Sequence, residues 1–158
     1  MKQKTISELA HNPLNIRVTK DVWRGQVGQY KGFVSFIDDV FGYRAAFKII
    51  LGYMGDGLIT PRAIISKWAP ETENDVTAYL STVCKPTIST LREDEPISSR
   101  RQLRELVYLM TLVERGRAGD FELINKGFAL ALKFPTRKQV KGLKNISNQE
   151  FTQTLNNV

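Results

Sequence analysis

The chain has 158 residues, 42% hydrophobic and 25% charged, which is ordinary for a globular domain with its own core. No apolar run approaches the roughly 18–20 residues that a membrane span needs, and the N-terminus lacks the apolar segment of a secretory signal. A single cysteine (Cys84) and a single histidine (His11) exclude an internal disulfide and a structural zinc site. No GxxxxGK[ST] or GxGxxG string occurs, so no cofactor or metal is predicted.

The net charge of +7 is unevenly distributed. No acid lies between Leu123 and Gln149, and the six cations of that stretch leave the rest of the chain near neutral. The basic patch of this segment consists of Lys133, Arg137, Lys138, Lys141 and Lys144. Such a local patch indicates either contact with DNA phosphates, which would be salt-sensitive and independent of sequence, or simply a solvated surface.

The first third of the chain predicts little regular structure. Residues 1–11 are polar and predict a loose arm or a frayed first helix, with Ser7 as a possible cap. Residues 12–18 predict a turn and a short extended piece. Residues 23–36 carry three glycines and alternating apolar side chains, which predict a small β-hairpin that must lie against helices to be stable.

Helical patterns follow. Residues 41–55 are apolar around much of the helix circumference, which predicts a buried helix. Thr60 and Pro61 predict the start of a second helix, which Pro70 stops just after Trp68. Glu71, Glu73, Asn74 and Asp75 then form an elbow in which Asn74 or Asp75 caps a third helix.

The second half predicts two longer helices. A surface connection over 85–97 leads to an apolar stripe from about Ser99 to Arg115, and a further helix spans 121–134 before Pro135. Ser147 and Glu150 resemble a capping box that opens a last short helix. We therefore expect a mainly α (α+β) fold of about five to six helices with a small N-terminal β-hairpin. Its parts are a polar arm (1–11), a single globular helical domain (12–134) and a basic C-terminal segment (135–158).

Several motifs occur in a fixed order: NPLNIR, then Trp23-Arg-Gly25, then GFVSF, GYRAAFKIILGY and WAPETEND. This series resembles a family of small phage and prophage virion structural proteins, over roughly residues 12–130. The chain departs from the pattern at Leu14, where glycine is common, and at Val76, where threonine is usual. The resemblance implies other virion or phage-encoded proteins as partners, and a location in the virion or the bacterial host cytoplasm.

Two groups of residues are candidates for ligand binding. Asn12, Asn15 and Arg17 could bind a ligand through amide and guanidinium donors. Alternatively, the asparagines set a turn and Arg17 pairs with a carboxylate of the elbow. Trp23 and Trp68 could form a stacking platform, although core packing is the more common role of tryptophan.

Arg44 interrupts the apolar helix over 41–55. A buried arginine needs a partner, and Glu73 or Asp75 is the first choice.

Two classes of function remain. Glu114 ends the long apolar helix and could serve as the general acid of a muramidase-like peptidoglycan hydrolase, with Glu73 or Asp75 as the second carboxylate. The preferred interpretation is a non-catalytic assembly protein, in which the Trp, Arg and carboxylate side chains hold the hairpin to the helices. A sequence-specific DNA-binding domain is disfavoured because the Pro70 elbow matches a helix-turn-helix poorly.

Overall fold

The computed structural model of the chain describes residues 3–69 and 75–146. Within them lie seven helices and one two-stranded ribbon, which confirms the predicted mainly α fold with an N-terminal β-hairpin. In chain order the elements are α1 (Ile6–Leu9), β1 (Gln26–Tyr30), β2 (Phe33–Phe36), α2 (Asp39–Gly55), α3 (Pro61–Trp68), α4 (Val76–Val83), α5 (Arg100–Arg115), α6 (Phe121–Ala131) and α7 (Arg137–Lys144). None of these helices is both long and apolar enough to span a bilayer.

The chain groups into two compact units. The first contains Met1–Ile49 and Val107–Phe134, and the second contains Ile50–Leu106 and Pro135–Val158. The boundaries fall within α2 and α5, so each of these helices supplies residues to both units.

Helix α1 belongs to the first unit and is capped differently from the prediction. Thr5, not Ser7, is its N-cap, and the Thr5 hydroxyl and the Glu8 carboxylate form a capping box. Only Thr5 has a glutamate three residues on, which is what this reciprocal motif requires. Ser7 is buried and donates its hydroxyl to the Asn12 carbonyl at 2.8 Å.

The ribbon is an antiparallel pair with one irregularity. Gln26 lies opposite Phe36 and Gly28 opposite Ser35, so Val27 is an extra, bulged residue on β1. On its other edge, β2 receives the short extended piece, because the Val34 N–H donates to the Ile16 carbonyl at 2.9 Å. Val34 and Phe36 are buried, so this side of β2 forms part of the core of the first unit.

The N-terminal half of α2 forms the centre of the first unit. Tyr43 and Phe47 are fully buried, and the Phe47 ring lies 4.9 Å from the Phe128 ring of α6. Gly127 allows this close approach, since a Cβ at its position would lie 2.5 Å from the Tyr43 Cβ. Both aromatic and small residues are therefore needed where the two helices cross.

In the second unit, α3 begins as predicted, with Thr60 as N-cap and Pro61 as the first residue. Asp75 is the N-cap of α4, and its carboxylate accepts from the Ala78 N–H at 3.2 Å. The rest of the predicted elbow, Pro70, Glu71, Glu73 and Asn74, lies outside the described residues.

The C-terminal part differs from the prediction in two places. Helix α6 ends at Ala131, with Leu132 as C-cap, rather than continuing to the residue before Pro135. Phe134 adopts a positive φ of 53°, which a continuing helix cannot accommodate. Helix α7, which had not been predicted, begins at a capping box of Thr136 and Gln139. The last helix proposed at Ser147 lies outside the described residues.

Candidate functional site

Asn12 lies at the junction between the N-terminal turn and the ribbon. It is completely buried, and its amide nitrogen donates to the carbonyls of Ile16 and Val34, both at 2.9 Å. Its amide oxygen accepts from the Ile16 N–H, also at 2.9 Å. Since these three bonds join backbone groups of the turn and of β2, the contacts of Asn12 are those of a structural clip.

Asn15 joins the same turn to the end of α5. Its amide nitrogen donates to the Glu114 carbonyl at 3.0 Å and to the Glu114 Oε1 at 3.2 Å. Asn15 has a positive φ of 54°, a conformation that asparagine tolerates better than most residues. These two contacts join the turn to the last turn of α5.

Arg17 and the two tryptophans occupy separate positions. The Arg17 guanidinium lies 4.9 Å from the centre of the Phe33 ring, a cation–π distance. Trp23 and Trp68 are each partly buried, so the stacking and the core-packing interpretations both stay predictions. Trp23 is part of the first unit and Trp68 of the second.

The carboxylates proposed for catalysis are divided between the units. Glu114 is half-buried in the first unit, and Asp75 caps α4 in the second. Glu73, the other proposed partner, lies outside the described residues. The catalytic role of all three residues stays a prediction.

A buried polar cluster that sequence reasoning missed lies at the end of α5. Arg115 forms a bidentate ion pair with Asp39, at 2.7 and 3.0 Å, and donates to the Ser7 hydroxyl at 2.8 Å. Burial acts to lower the pKa of Arg115, but the Asp39 carboxylate outweighs it, so the net shift is upward. Nearby, Arg117 pairs with Glu8, whose pKa is lowered chiefly by its backbone hydrogen bond from Thr5.

Arg44 makes no ion pair with any described residue, although the sequence predicted a carboxylate partner. Asp75, one of the proposed partners, is in the other unit, and Glu73 is not described. The Arg44 Nε is buried and has no hydrogen-bond partner. Burial, and after it the positive charge of Arg24, lowers the pKa of Arg44.

The side chains of the basic patch are all exposed. Arg137, Lys141 and Lys144 follow each other at helical spacing on α7 and share one face of it. Lys138 is different, because its Nζ pairs with the Asp56 carboxylate at 3.1 Å. Lys133 precedes the helix and belongs to the first unit. Within the described ranges, no group of three or more His, Cys, Asp or Glu side chains could hold a metal ion.

Comparison with known proteins gives one curated relative from a phage. The chain is 36% identical over 83 residues to Protein P5 of Pseudoalteromonas phage PM2. The alignment covers 49% of this chain and 52% of that protein, so the chain spans about half the length of the relative it matches. No protein-family model matches the chain. The modest homology is consistent with a phage-related origin.

Proposed function

We propose that the chain is a phage- or prophage-derived virion structural or accessory protein with a non-catalytic assembly role. Its partners would be other virion proteins, and its location the virion or the host cytoplasm before assembly. The homology to a phage protein supports the phage context. The observation that carries the assembly role is the exposure of apolar side chains on and around the ribbon.

Apolar side chains at the ribbon are unusually exposed. Five of the ten large exposed hydrophobic residues among the described ranges lie between positions 18 and 37. Val22 is 83% exposed, Val27 65% and Ile37 61%. Clustered exposed apolar groups mark sites of protein association more often than single ones do.

The outer edge of β1 adds a second element to this surface. No strand among the described residues pairs with that edge, so its backbone N–H and C=O groups are available for a partner. The bulge at Val27 interrupts the edge, which limits indiscriminate strand pairing. Apolar side chains beside a partly protected edge suit a specific protein partner.

The assembly role can be tested by incorporation into particles. The protein would be produced together with the phage-encoded particle proteins, and its presence in purified particles measured by quantitative immunoblot. A Val22→Ser, Ile37→Ser double variant should be strongly depleted from particles. Ile88→Ser, at a residue that is 49% exposed in the second unit, is the matched control and should be incorporated normally.

Equal incorporation of the two variants would remove the support that the ribbon gives to this proposal. Absence of the wild-type protein from particles would overturn the virion role itself.

The basic face of α7 supports a subsidiary role in contacting packaged DNA. Arg137, Lys141 and Lys144 present three charges from one exposed helix face, and phosphate contacts need no base-specific geometry. We therefore include DNA backbone binding in the proposal.

A further inference from the structure

Arg44 is a charged residue in the otherwise apolar first half of α2. Its neighbours on that helix, Tyr43, Ala45, Ala46 and Phe47, are all fully or almost fully buried. The Arg44 Nε is one of two buried side-chain polar atoms without a hydrogen-bond partner in the described chain, and the other is in Arg100 of the second unit. A buried donor without a partner is costly, so the guanidinium of Arg44 has a hydrogen-bonding capacity that the described residues do not use.

A second cation lies one helical turn further along α2. Lys48 is almost completely buried, and its Nζ donates to the carbonyls of Lys133 and Phe134, at 2.9 and 3.4 Å. These carbonyls follow the end of α6, where unpaired carbonyl groups attract positive charge. Burial, and after it the positive charge of Arg44, lowers the pKa of Lys48.

A third cation is brought to the same place by the loop before β1. Gly25 packs directly on the Phe41 ring, where a Cβ would lie 2.8 Å from the Phe41 Cδ1. Phe41 is one helical turn before Arg44, and Arg24, next to Gly25, is close enough for its positive charge to lower the pKa of Arg44. Arg24 is exposed, which leaves its side chain free to close over a ligand.

We propose that Arg44, flanked by Arg24 and Lys48, forms a binding site for a phosphate group. A phosphate monoester or inorganic phosphate carries close to two negative charges and several acceptor oxygens. It therefore matches the two guanidinium groups of Arg24 and Arg44 better than a single carboxylate does. Arginine also binds phosphate oxygens through a planar fork of donors. The site is independent of the proposed virion role, because it rests only on side chains of the first unit.

The first test compares stability with and without phosphate. Thermal unfolding would be followed in sodium phosphate and in sodium chloride of equal ionic strength. We expect phosphate to raise the midpoint of the wild-type protein specifically, since a ligand that binds the folded state stabilises it. No rise beyond that in chloride would overturn the proposal.

Two variants make this test specific to the site. Arg44→Met keeps the aliphatic bulk but removes the unpaired charge, so it should unfold at a higher temperature than the wild type without phosphate and gain nothing from phosphate. Arg101→Met, at an exposed position on α5, removes the same charge and should respond like the wild type. A phosphate response that persists in Arg44→Met would overturn the assignment.

Direct binding distinguishes the source of the phosphate. Titration calorimetry with inorganic phosphate should show at least about tenfold weaker binding in Arg44→Met, because a charged hydrogen-bonding partner is lost. The exposed Arg24→Met variant, which leaves the core untouched, should weaken binding a few-fold.

The second measurement is the same titration with an oligonucleotide that has no terminal phosphates. If Arg44→Met also weakens its binding, the site takes backbone phosphates of nucleic acid. If only inorganic phosphate is affected, the site takes free or terminal phosphate. Undiminished binding of inorganic phosphate by both variants would overturn the site.

Discussion

At the residue scale, Asn12 shows why residue type alone does not assign a role. An asparagine near a motif arginine has the donors and acceptors of a ligand-binding side chain. In the folded chain, all three of its hydrogen bonds go to the backbone of Ile16 and Val34, and the side chain is inaccessible to solvent. The amide donor and acceptor of Asn12 therefore hold the turn against β2.

Replacing Asn12 by alanine should be strongly destabilising. The change removes three buried hydrogen bonds and leaves the Ile16 N–H without its acceptor, while the Ile16 carbonyl keeps its bond from the Val34 N–H. A buried group without a partner costs about 1–3 kcal/mol, and each other lost bond adds about 1 kcal/mol. We expect the free energy of unfolding in urea to fall by about 3 kcal/mol or more. The control is Asn125→Ala on the exposed face of α6, which should change it by less than about 0.5 kcal/mol. If Asn12→Ala is as stable as the wild type, the hydrogen bonds of Asn12 do not stabilise the turn.

Cys84 gives a prediction about pH. Burial raises the pKa of its thiol from 9.0 to about 11. Because the folded-state pKa is the higher one, the stabilising contribution is complete below pH 9.0 and is lost as the pH rises towards about 11. The native thiol should therefore react slowly with iodoacetamide near neutral pH and rapidly once the chain is unfolded.

The pH dependence is isolated by comparison with Cys84→Ala. Both proteins lose stability at alkaline pH as other groups titrate, but the wild type should lose more. Parallel alkaline profiles for the two proteins would show that this thiol makes no such contribution.

At the scale of elements, glycine positions determine how the helices of each unit approach one another. In the second unit, Gly55 of α2 and Gly142 of α7 face each other's backbones, and a Cβ on Gly142 would overlap the Leu51 carbonyl oxygen. A Cβ on Gly55 would lie 2.6 Å from the Lys138 Cγ, and closer still to the Lys138 carbonyl. The two helices can therefore approach this closely only because both residues lack side chains.

Two alanine substitutions in α2 should change the stability differently. Gly55→Ala forces α7 away and should destabilise the protein by about 1–3 kcal/mol. Gly52→Ala meets only the Lys138 Cδ at 3.9 Å and should be neutral, or stabilising by about 0.5–1 kcal/mol, because alanine favours the helix. Denaturant unfolding of both variants checks this, and similar losses in the two would refute the close crossing.

The basic face of α7 predicts a specific salt dependence. If DNA phosphates bind there, Lys141→Gln and Lys144→Gln should each reduce the slope of log K against log salt by about 1. Lys126→Gln is the control, because Lys126 pairs with Glu122 on α6 in the first unit. Fluorescence anisotropy with a duplex over a range of salt gives the slopes. Identical slopes in all variants would show that the basic face of α7 does not contact DNA phosphates.

At the scale of the whole molecule, the choice lies between an assembly protein and a hydrolase. A carboxylate-pair mechanism needs two carboxyl groups about 5–9.5 Å apart. Glu114 and either Glu73 or Asp75 are the residues proposed for it, and that pairing stays a prediction. The exposed apolar residues of the ribbon lie in the first unit and support the proposed assembly role.

A peptidoglycan-clearing assay separates these functions. Under the assembly role, neither the wild-type protein nor Glu114→Gln should clear peptidoglycan at any pH at which both are folded. Glutamine keeps an oxygen that can accept from Asn15, so the variant should fold normally. Clearing by the wild type that disappears in Glu114→Gln would instead establish a hydrolase with Glu114 as its acid.

Local signals were sufficient to predict most of the elements. The apolar circumference of α2, the Thr60–Pro61 start of α3 and the glycine-rich alternation of the ribbon each act over a few neighbouring residues, and the structure confirms all three. Helix α7 also has a local signal, the capping box of Thr136 and Gln139. It was not predicted because the segment was interpreted by its basic composition alone. The sequence by itself thus determined the mainly α class, the ribbon and the order of the helices.

Only the tertiary structure decided which distant groups meet. Arg115 pairs with Asp39 across 76 positions, and Asn15 reaches Glu114 across 99. The Arg44 Nε has no hydrogen-bond partner among the described residues, which do not include Glu73, one of the two carboxylates that the sequence offered. Helix periodicity and capping depend on near neighbours, whereas partners of charged and amide groups depend on how elements pack. The same carboxylate can therefore be a cap, an ion-pair partner or a catalyst, and its surroundings in the folded chain decide which.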